Sequence, residues 1–384
     1  MLRLLHLADL HLGWAPAYME EPRRSERRRR RDSLLERAVR FALDPANRIG
    51  MVVIAGDLFE SHRPDRAQVA SVLEQLRRLE AAGVRVVTVP GNHDEITYPD
   101  SVYRERAAEW PGLLVQSPVP VHAGTVTVGG VPVHVYGLAY TGGLTPTQEP
   151  LAQFPRVDEP GFHLAVLHGT LGTWGGERSL PLDGAALGRA GYDYVALGHI
   201  HRHERHDLDG TPAVYCGAVE GKGWDDPGVG QWTVVEVDMP ARAGGRARVE
   251  VRTCPAEGVQ PIETISLDAG AYGGAAELRS AIEALADPER ILQVRLTGAP
   301  AYEVSARELQ SALAGLFFHL SVVDDEVLFA PALLERWASE PTIRGLFVKR
   351  MQARIAEAED EETRRLLQRA LRQGLYALAG GEPR

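Results

Sequence analysis

Gly91-Asn92-His93-Asp94 follows directly on the apolar run Val84-Arg85-Val86-Val87-Thr88-Val89. Asn and His side by side offer a neutral oxygen ligand and an imidazole that can move a proton near neutral pH. Alone, such a tetrapeptide is common in turns. It gains meaning because four other blocks carry the same kind of residue: Asp9-Leu10-His11, Gly56-Asp57, His168-Gly169 and Gly198-His199-Ile200-His201. The candidate site is therefore Asp9, His11, Asp57, Asn92, His93, His168, His199 and His201. Carboxylates, imidazoles and one amide oxygen suit hard-to-borderline cations such as Mn²⁺, Fe²⁺ or Zn²⁺. With no cysteine among them, a structural zinc site is disfavoured. So many polar groups are unfavourable to cluster unless they coordinate something.

Each block closes an apolar run of strand length: residues 2–8, Met51 to Ala55, Val84 to Val89, His163 to Leu167 and Asp193 to Leu197. Open α/β sheets place their chemistry at the carboxyl ends of their strands. Between the runs lies Ala67 to Leu79, an amphipathic helix with Val69, Val72, Leu73, Leu76 and Leu79 on one face and Gly83 as its stop signal. The order β-α-β-α-β predicts a parallel α/β core. Val126 to Val128 and Val131 to Tyr136 flank Gly129-Gly130, a hairpin signal. Residues 144–160 read as a loop. Ala213 to Cys216, Trp232 to Val237 and Ala247 to Thr253 read as further strands, with Gly210 and Gly244-Gly245 as turns. The expected fold class is α/β, two sheets face to face with helices outside.

A boundary near Pro255 to Pro261 leads into a smaller strand-helix-strand-helix-strand pattern, and from Pro331 the chain reads as wholly helical. The expected division is a main domain over residues 1–257, a small α/β accessory domain over 258–330 and a helical segment over 331–384. The helical end carries two apolar stripes. Ile343, Leu346, Phe347, Met351 and Ile355 form one; Leu366, Leu367, Ala370, Leu371, Leu375 and Leu378 form the other. They either pack on the second domain or dock a partner helix.

The chain has 384 residues, 44% apolar and 24% charged, ordinary for a soluble globular protein of more than one domain. Two cysteines, Cys216 and Cys254, read as unpaired thiols of a reducing cytosol. The apolar start runs straight into Asp9 and His11 and reads as a first strand, not a signal peptide. No run approaches the roughly 20 residues of a membrane span. The net charge of −10 argues against a generic DNA-coating protein. One local exception stands out: Arg23, Arg24 and the unbroken run Arg27 to Arg31. It is either a solvated helix face or a phosphate-backbone contact through Arg27, Arg28 and Arg30. Trp224, within Gly221-Lys222-Gly223-Trp224, is the tryptophan to compare with a substrate groove.

The five blocks resemble those of the calcineurin-like metallophosphoesterases, and none is missing. Asp9-Leu10-His11-Leu12-Gly13, Gly56-Asp57-Leu58-Phe59 and Gly198-His199-Ile200-His201 are most similar to the SbcD and YhaO type of DNA-repair exonuclease subunit. Glu60-Ser61-His62-Arg63 replaces the Asp-Arg-Gly usual in protein phosphatases and disfavours that branch. The resemblance implies two divalent ions, Mn²⁺ before Fe²⁺ or Zn²⁺. Asp9, His11 and His201 would take one, Asn92, His168 and His199 the other, and Asp57 would bridge them. His93 would bind neither, but orient the scissile phosphate and protonate the leaving oxygen. Asp94 and backbone carbonyls would fix the ligand rings. The implied setting is a cytoplasmic homodimeric DNA nuclease of DNA repair, with an SbcC-like or YhaN-like coiled-coil ATPase and no membrane. Two other readings stay open: a phosphoesterase acting on a small nucleotide or lipid pyrophosphate, and a non-catalytic scaffold that keeps the fold.

Overall fold

The computed structural model describes residues 2–142, 151–172, 179–239 and 246–378. The first part of the expected 144–160 loop and the turn Gly244-Gly245 lie outside them. The chain divides into two compact units, Met1–Ile262 and Glu263–Arg384.

The first unit runs β1 (Leu2–Leu7), α1 (Arg23–Asp32), α2 (Leu34–Leu43), β2 (Met51–Ala55), α3 (Arg66–Ala81), β3 (Arg85–Val89), α4 (Val102–Glu105) and β4 (Leu113–Leu114). It continues through β5 (Val121–Val128), β6 (Val131–Gly137), β7 (Phe162–His168), β8 (Thr170–Leu171), β9 (Pro181–Leu182), α5 (Gly184–Ala190) and β10 (Tyr194–Gly198). β11 (Glu204–Leu208), β12 (Thr211–Tyr215), β13 (Gln231–Asp238) and β14 (Arg248–Pro255) close it. Two six-stranded sheets result, ordered β14-β13-β1-β2-β3-β4 and β11-β12-β10-β7-β6-β5. The strands bearing the five blocks are parallel to their neighbours β1/β2/β3 and β7/β10. The parallel core is extended by antiparallel strands, β13 beside β1 and β5 beside β6. β11 is an addition to the expected set: its alternation of charged and half-buried residues carries no apolar signal.

Period-two alternation explains the layering. Leu5, Leu7, Val52 and Ile54 turn to one side of the first sheet, where Leu35, Val39, Val72, Leu76 and Leu79 of α2 and α3 cover them. Their neighbours Leu4, Met51, Val53 and Ala55 turn the other way, onto Phe162, Leu164, Val166, Tyr194 and Ala196 of the second sheet. The Asp65 side chain accepts from the Gln68 backbone N–H and caps α3.

The second unit has β15 (Ile262–Asp268), α6 (Ala275–Glu283), β16 (Asp287–Gly298), α7 (Ala306–Leu313) and β17 (Phe317–Val327), in one sheet of order β15-β16-β17. α8 (Pro331–Ala338), α9 (Ile343–Ala356) and α10 (Glu361–Leu378) follow. These last three share a core of Leu333, Trp337, Val348, Met351, Leu371 and Leu375. That core redraws the first expected stripe. Met351 is buried, the Phe347 ring sits against Gly374, and Ile343 and Leu346 are exposed. Among the described residues, no helix is long and apolar enough to cross a membrane.

Candidate metal centre

The five blocks leave the carboxyl ends of β1, β2, β3, β7 and β10, so the ligands hang from both sheets along one edge. The backbone there is strained. Asp9, His11, Asp57 and His199 have φ of 55°, 48°, 51° and 99°. They are four of the six non-glycine residues with positive φ among the described residues, a conformation that costs of order 1–3 kcal/mol and clusters at functional sites. Glycine relieves the crowding beside them. A Cβ on Gly56, itself at φ +89°, would stand 2.1 Å from His168 Nδ1, and one on Gly91 would stand 2.3 Å from Asp57 Oδ1.

All eight sequence-predicted residues come together. Three groups, Asp9–His11–His201, His11–Asp57–His93 and Asp9–Asp57–His168, each bring one ligand atom per residue within 4.8 Å of one another. His11 Nε2 and His201 Nε2 are 3.1 Å apart, and His201 Nε2 is 3.8 Å from Asp9 Oδ1. Asn92 Oδ1 lies 2.8 Å from His168 Nε2 and 2.9 Å from His199 Nδ1. Asp57 Oδ2 is 3.6 Å from His11 Nε2 and 3.5 Å from His168 Nε2, between the two sets. The Asp57 carboxylate also accepts from the His93 backbone N–H at 2.8 Å, and Asp9 from that of His199 at 3.1 Å.

The far sides of the rings test whether the site fits metal. A ligating histidine holds its second nitrogen on a carboxylate or a carbonyl. His11 Nδ1 stands 2.9 Å from Glu60 Oε2, His201 Nδ1 2.6 Å from Asp226 Oδ2, and His168 Nδ1 2.8 Å from the Ala55 carbonyl. Each of these rings therefore turns Nε2 inward, whereas His199 turns Nδ1. The donor set and its supports fit a centre of divalent ions.

Electrostatics follow from burial and proximity. Burial drives the His11 and His199 imidazoles down to about 3, so both favour the neutral, ligating form. Burial also opposes charge on His168, but Asp57 outweighs it and raises the imidazole to about 9. Asp57 is correspondingly held well below the usual carboxylate range, against its own burial.

Glu60, Lys222 and Asp226 also stand against the site, and the sequence blocks do not mark them. Glu60 Oε2 accepts from Lys222 Nζ at 2.8 Å while its Oε1 lies 3.6 Å from His93 Nδ1. Burial would raise the Glu60 carboxyl, yet His11 and Lys222 bring it down to about 2. Nothing local marks these residues beyond the glycines on both sides of Lys222. Asp94, expected behind the ligand rings, instead accepts from the Gly91 and Phe59 backbone N–H groups and the Tyr103 hydroxyl, at 2.7, 3.1 and 2.7 Å. It fixes the loops from which Asp57 and Asn92 project.

The arginine run requires a correction. Arg27 and Arg31, one turn apart on α1, are fully buried. Arg27 pairs with Glu220 at 2.6 Å and reaches the Gly221 carbonyl at 2.9 Å. Arg31 donates to the Leu10 carbonyl at 3.2 Å, the Glu220 carbonyl at 3.0 Å and that of Gly221. They clamp the loop bearing Lys222 onto the loop bearing Asp9 and His11, so Arg27 has no face for a phosphate backbone. Arg28 and Arg30 remain partly exposed, paired with Asp65 and Glu26.

A family model described as calcineurin-like phosphoesterase matches residues 2–203. The chain belongs to this family. It is similar to an uncharacterized metallophosphoesterase, YhaO, of Bacillus subtilis, with 29% identity over 235 residues, 58% of this chain and 54% of the relative. It is also similar to the DNA double-strand break repair protein Mre11 of Haloferax volcanii, 32% identical over 229 residues, 57% of this chain and 46% of that protein. The Mre11 of Methanopyrus kandleri is 29% identical over 230 residues, 57% and 49% of the two chains. The chain thus spans about half the length of the curated relatives it matches.

Proposed function

We propose that the protein is a two-metal-dependent DNA nuclease that hydrolyses phosphodiester bonds in DNA repair. The observation that supports this most is the joint arrangement of the eight residues, with Asp57 between two ligand sets and His93 at their edge. Asp9, His11 and His201 would hold one ion, Asn92, His168 and His199 the other, and Asp57 would serve both. Two bound cations, Mn²⁺ foremost, supply a water of lowered pKa and charge neutralisation at the phosphate. His93 supplies orientation and the proton. Its backbone is pinned to Asp57, its ring packs edge-on to His11 at 4.7 Å, and its Nδ1 is 3.3 Å from the Glu60 carbonyl. The ring is partly exposed and held ready to protonate a leaving oxygen.

The similarity to proteins named for DNA double-strand break repair supports a setting with DNA; the same reading gives the protein an SbcC-like or YhaN-like coiled-coil ATPase as partner and a cytoplasmic homodimer as its form. Residues 331–384 form the docking element in this reading. Ile343, Leu346, Leu366 and Leu378 are the large apolar side chains left exposed among its described residues.

One observation favours the second reading, a phosphoesterase on a small nucleotide or lipid pyrophosphate: the burial of Arg27 and Arg31 takes two of the seven arginines at 23–31 off the surface. Assays with Mn²⁺ on single- and double-stranded DNA, beside a panel of nucleotides, separate the two. Turnover of nucleotides without cleavage of DNA would overturn the nuclease reading, and turnover of neither would leave the scaffold.

A further inference from the structure

The turn from Gly221 to Asp226 is tied to the metal centre at both ends. Lys222 Nζ reaches Glu60 Oε2 at 2.8 Å, and Glu60 backs His11; Asp226 Oδ2 lies 2.6 Å from His201 Nδ1. Gly223 and Asp226 exchange two backbone hydrogen bonds, at 3.2 and 3.1 Å, which close the turn. Its base is fixed from behind by Arg27 and Arg31 through the Glu220 and Gly221 carbonyls. Trp224 therefore sits on a rigid tip. It is two residues from each anchored side chain, so its Cα lies within about 7 Å of those of Lys222 and Asp226.

Opposite the tip, Tyr18 donates its hydroxyl to the Lys222 carbonyl at 3.1 Å. Its ring lies 5.7 Å from that of Trp224, centroid to centroid, at 41°. Tyr18 is 39% exposed and Trp224 half-buried; Tyr98, at 44%, is the other tyrosine this open among the described residues of the unit, and its ring stacks on His62 at 4.1 Å. Two aromatic rings are thus held at the turn whose Lys222 reaches Glu60 behind His11 and whose Asp226 lies behind His201.

We propose that Trp224 and Tyr18 form a stacking shelf for the nucleobase next to the scissile phosphate. This rests on the phosphodiesterase reading and names what it takes: a nucleotide whose base is unpaired. Every base has a π-face, so the shelf contributes affinity without sequence preference. A base inside a duplex is already stacked on its neighbours, so the shelf favours single-stranded or frayed ends. A lipid pyrophosphate offers nothing to stack.

The test compares the wild type with Trp224→Ala and Trp224→Phe, with Mn²⁺, on a single-stranded oligonucleotide. Matched substrates carry a tetrahydrofuran abasic residue at successive positions around the cleaved bond. Trp224→Ala should lower kcat/KM about ten-fold on the intact oligonucleotide, the scale of one lost base stack. One abasic position should cost the wild type a similar factor and cost Trp224→Ala little more, while Trp224→Phe stays near wild type. An equal Trp224→Ala defect on intact and abasic substrates, or none on either, would overturn the shelf. A second measurement does not depend on cleavage: 2-aminopurine deoxyriboside 5′-monophosphate should lose fluorescence on binding the wild type and not on binding Trp224→Ala. Quenching without DNA cleavage would sink the nuclease reading and keep the shelf; no quenching by the wild type would sink the shelf.

Discussion

Arg27 Nη1 lies 2.6 Å from Glu220 Oε2, and neither side chain is exposed. Arg37 also reaches Glu220, at 2.8 Å. A buried pair broken from one side leaves an uncompensated charge and costs about 3–5 kcal/mol. Arg27→Ala leaves Glu220 to Arg37 alone, so it should lower stability by about 1–3 kcal/mol and loosen metal binding, because the Lys222 loop loses part of its clamp. Arg28→Ala, at an exposed pair, should cost no more than about 1 kcal/mol. Equal urea midpoints for the two variants would contradict the clamp.

His93→Ala should keep the metal content of the wild type while turnover falls by about 10²-fold or more, the scale of lost general acid catalysis. Asp57→Asn should damage both ligand sets. Metal analysis beside steady-state rates distinguishes the two, and a His93→Ala protein stripped of metal would mean that His93 is a ligand.

Asp226→Ala removes the carboxylate behind His201 without touching a ligand. Metal affinity at that position should weaken about 10- to 100-fold. Titration with Mn²⁺, followed by electron paramagnetic resonance, reads this directly; an unchanged affinity would reduce Asp226 to a turn residue.

Burial holds the His6 imidazole, 3.0 Å from the Tyr194 hydroxyl, down to about 3. Native His6 is therefore neutral at pH 5, whereas in the unfolded chain it takes up a proton below its ordinary 6.5. The unfolded state binds more protons in this window. The contribution of His6 is thus complete above pH 6.5 and is lost as pH falls toward 3, at up to about 1.4 kcal/mol per pH unit. His6→Gln should flatten this slope in urea unfolding between pH 7 and 5. Parallel slopes would assign the acid sensitivity to other groups.

Leu346→Asp with Leu366→Asp should leave the fold intact, since both side chains are exposed, and abolish co-purification with the proposed coiled-coil ATPase. Met351→Asp should unfold the helical core instead. Retained binding by the soluble double variant would place the docking surface elsewhere.

The strand ends and the polar residues that gather there are legible because each combines a short apolar run with a polar stop, a pattern local enough to read. Arg27 is not. A run of identical residues hides which face of α1 is inward, and its acidic partner lies 193 positions away. Glu60 directly follows the Gly56-Asp57-Leu58-Phe59 block and Asp226 stands beside Asp225, but nothing local sets either carboxylate behind a histidine. In α9, the turn from Trp337 through the cap at Thr342 aims Gly345, Val348 and Met351 inward. That rotation leaves Ile343 and Leu346 outside, and apolar spacing alone does not contain it.

Asp57 leaves β2 and His168 leaves β7, so two facing groups of the metal centre hang from different sheets. A strand that slips by one residue moves its end by about 3.3 Å, while metal ligation tolerates only about 0.2 Å. The sandwich is therefore the gauge block of the catalytic edge: its tolerance is set by how Val53 and Ala55 mesh with Leu164 and Val166. An interior substitution that lets the layers shift by a fraction of an ångström would detune the metals well before the protein melts. Inheritance of the chemistry then depends on residues that never touch the substrate.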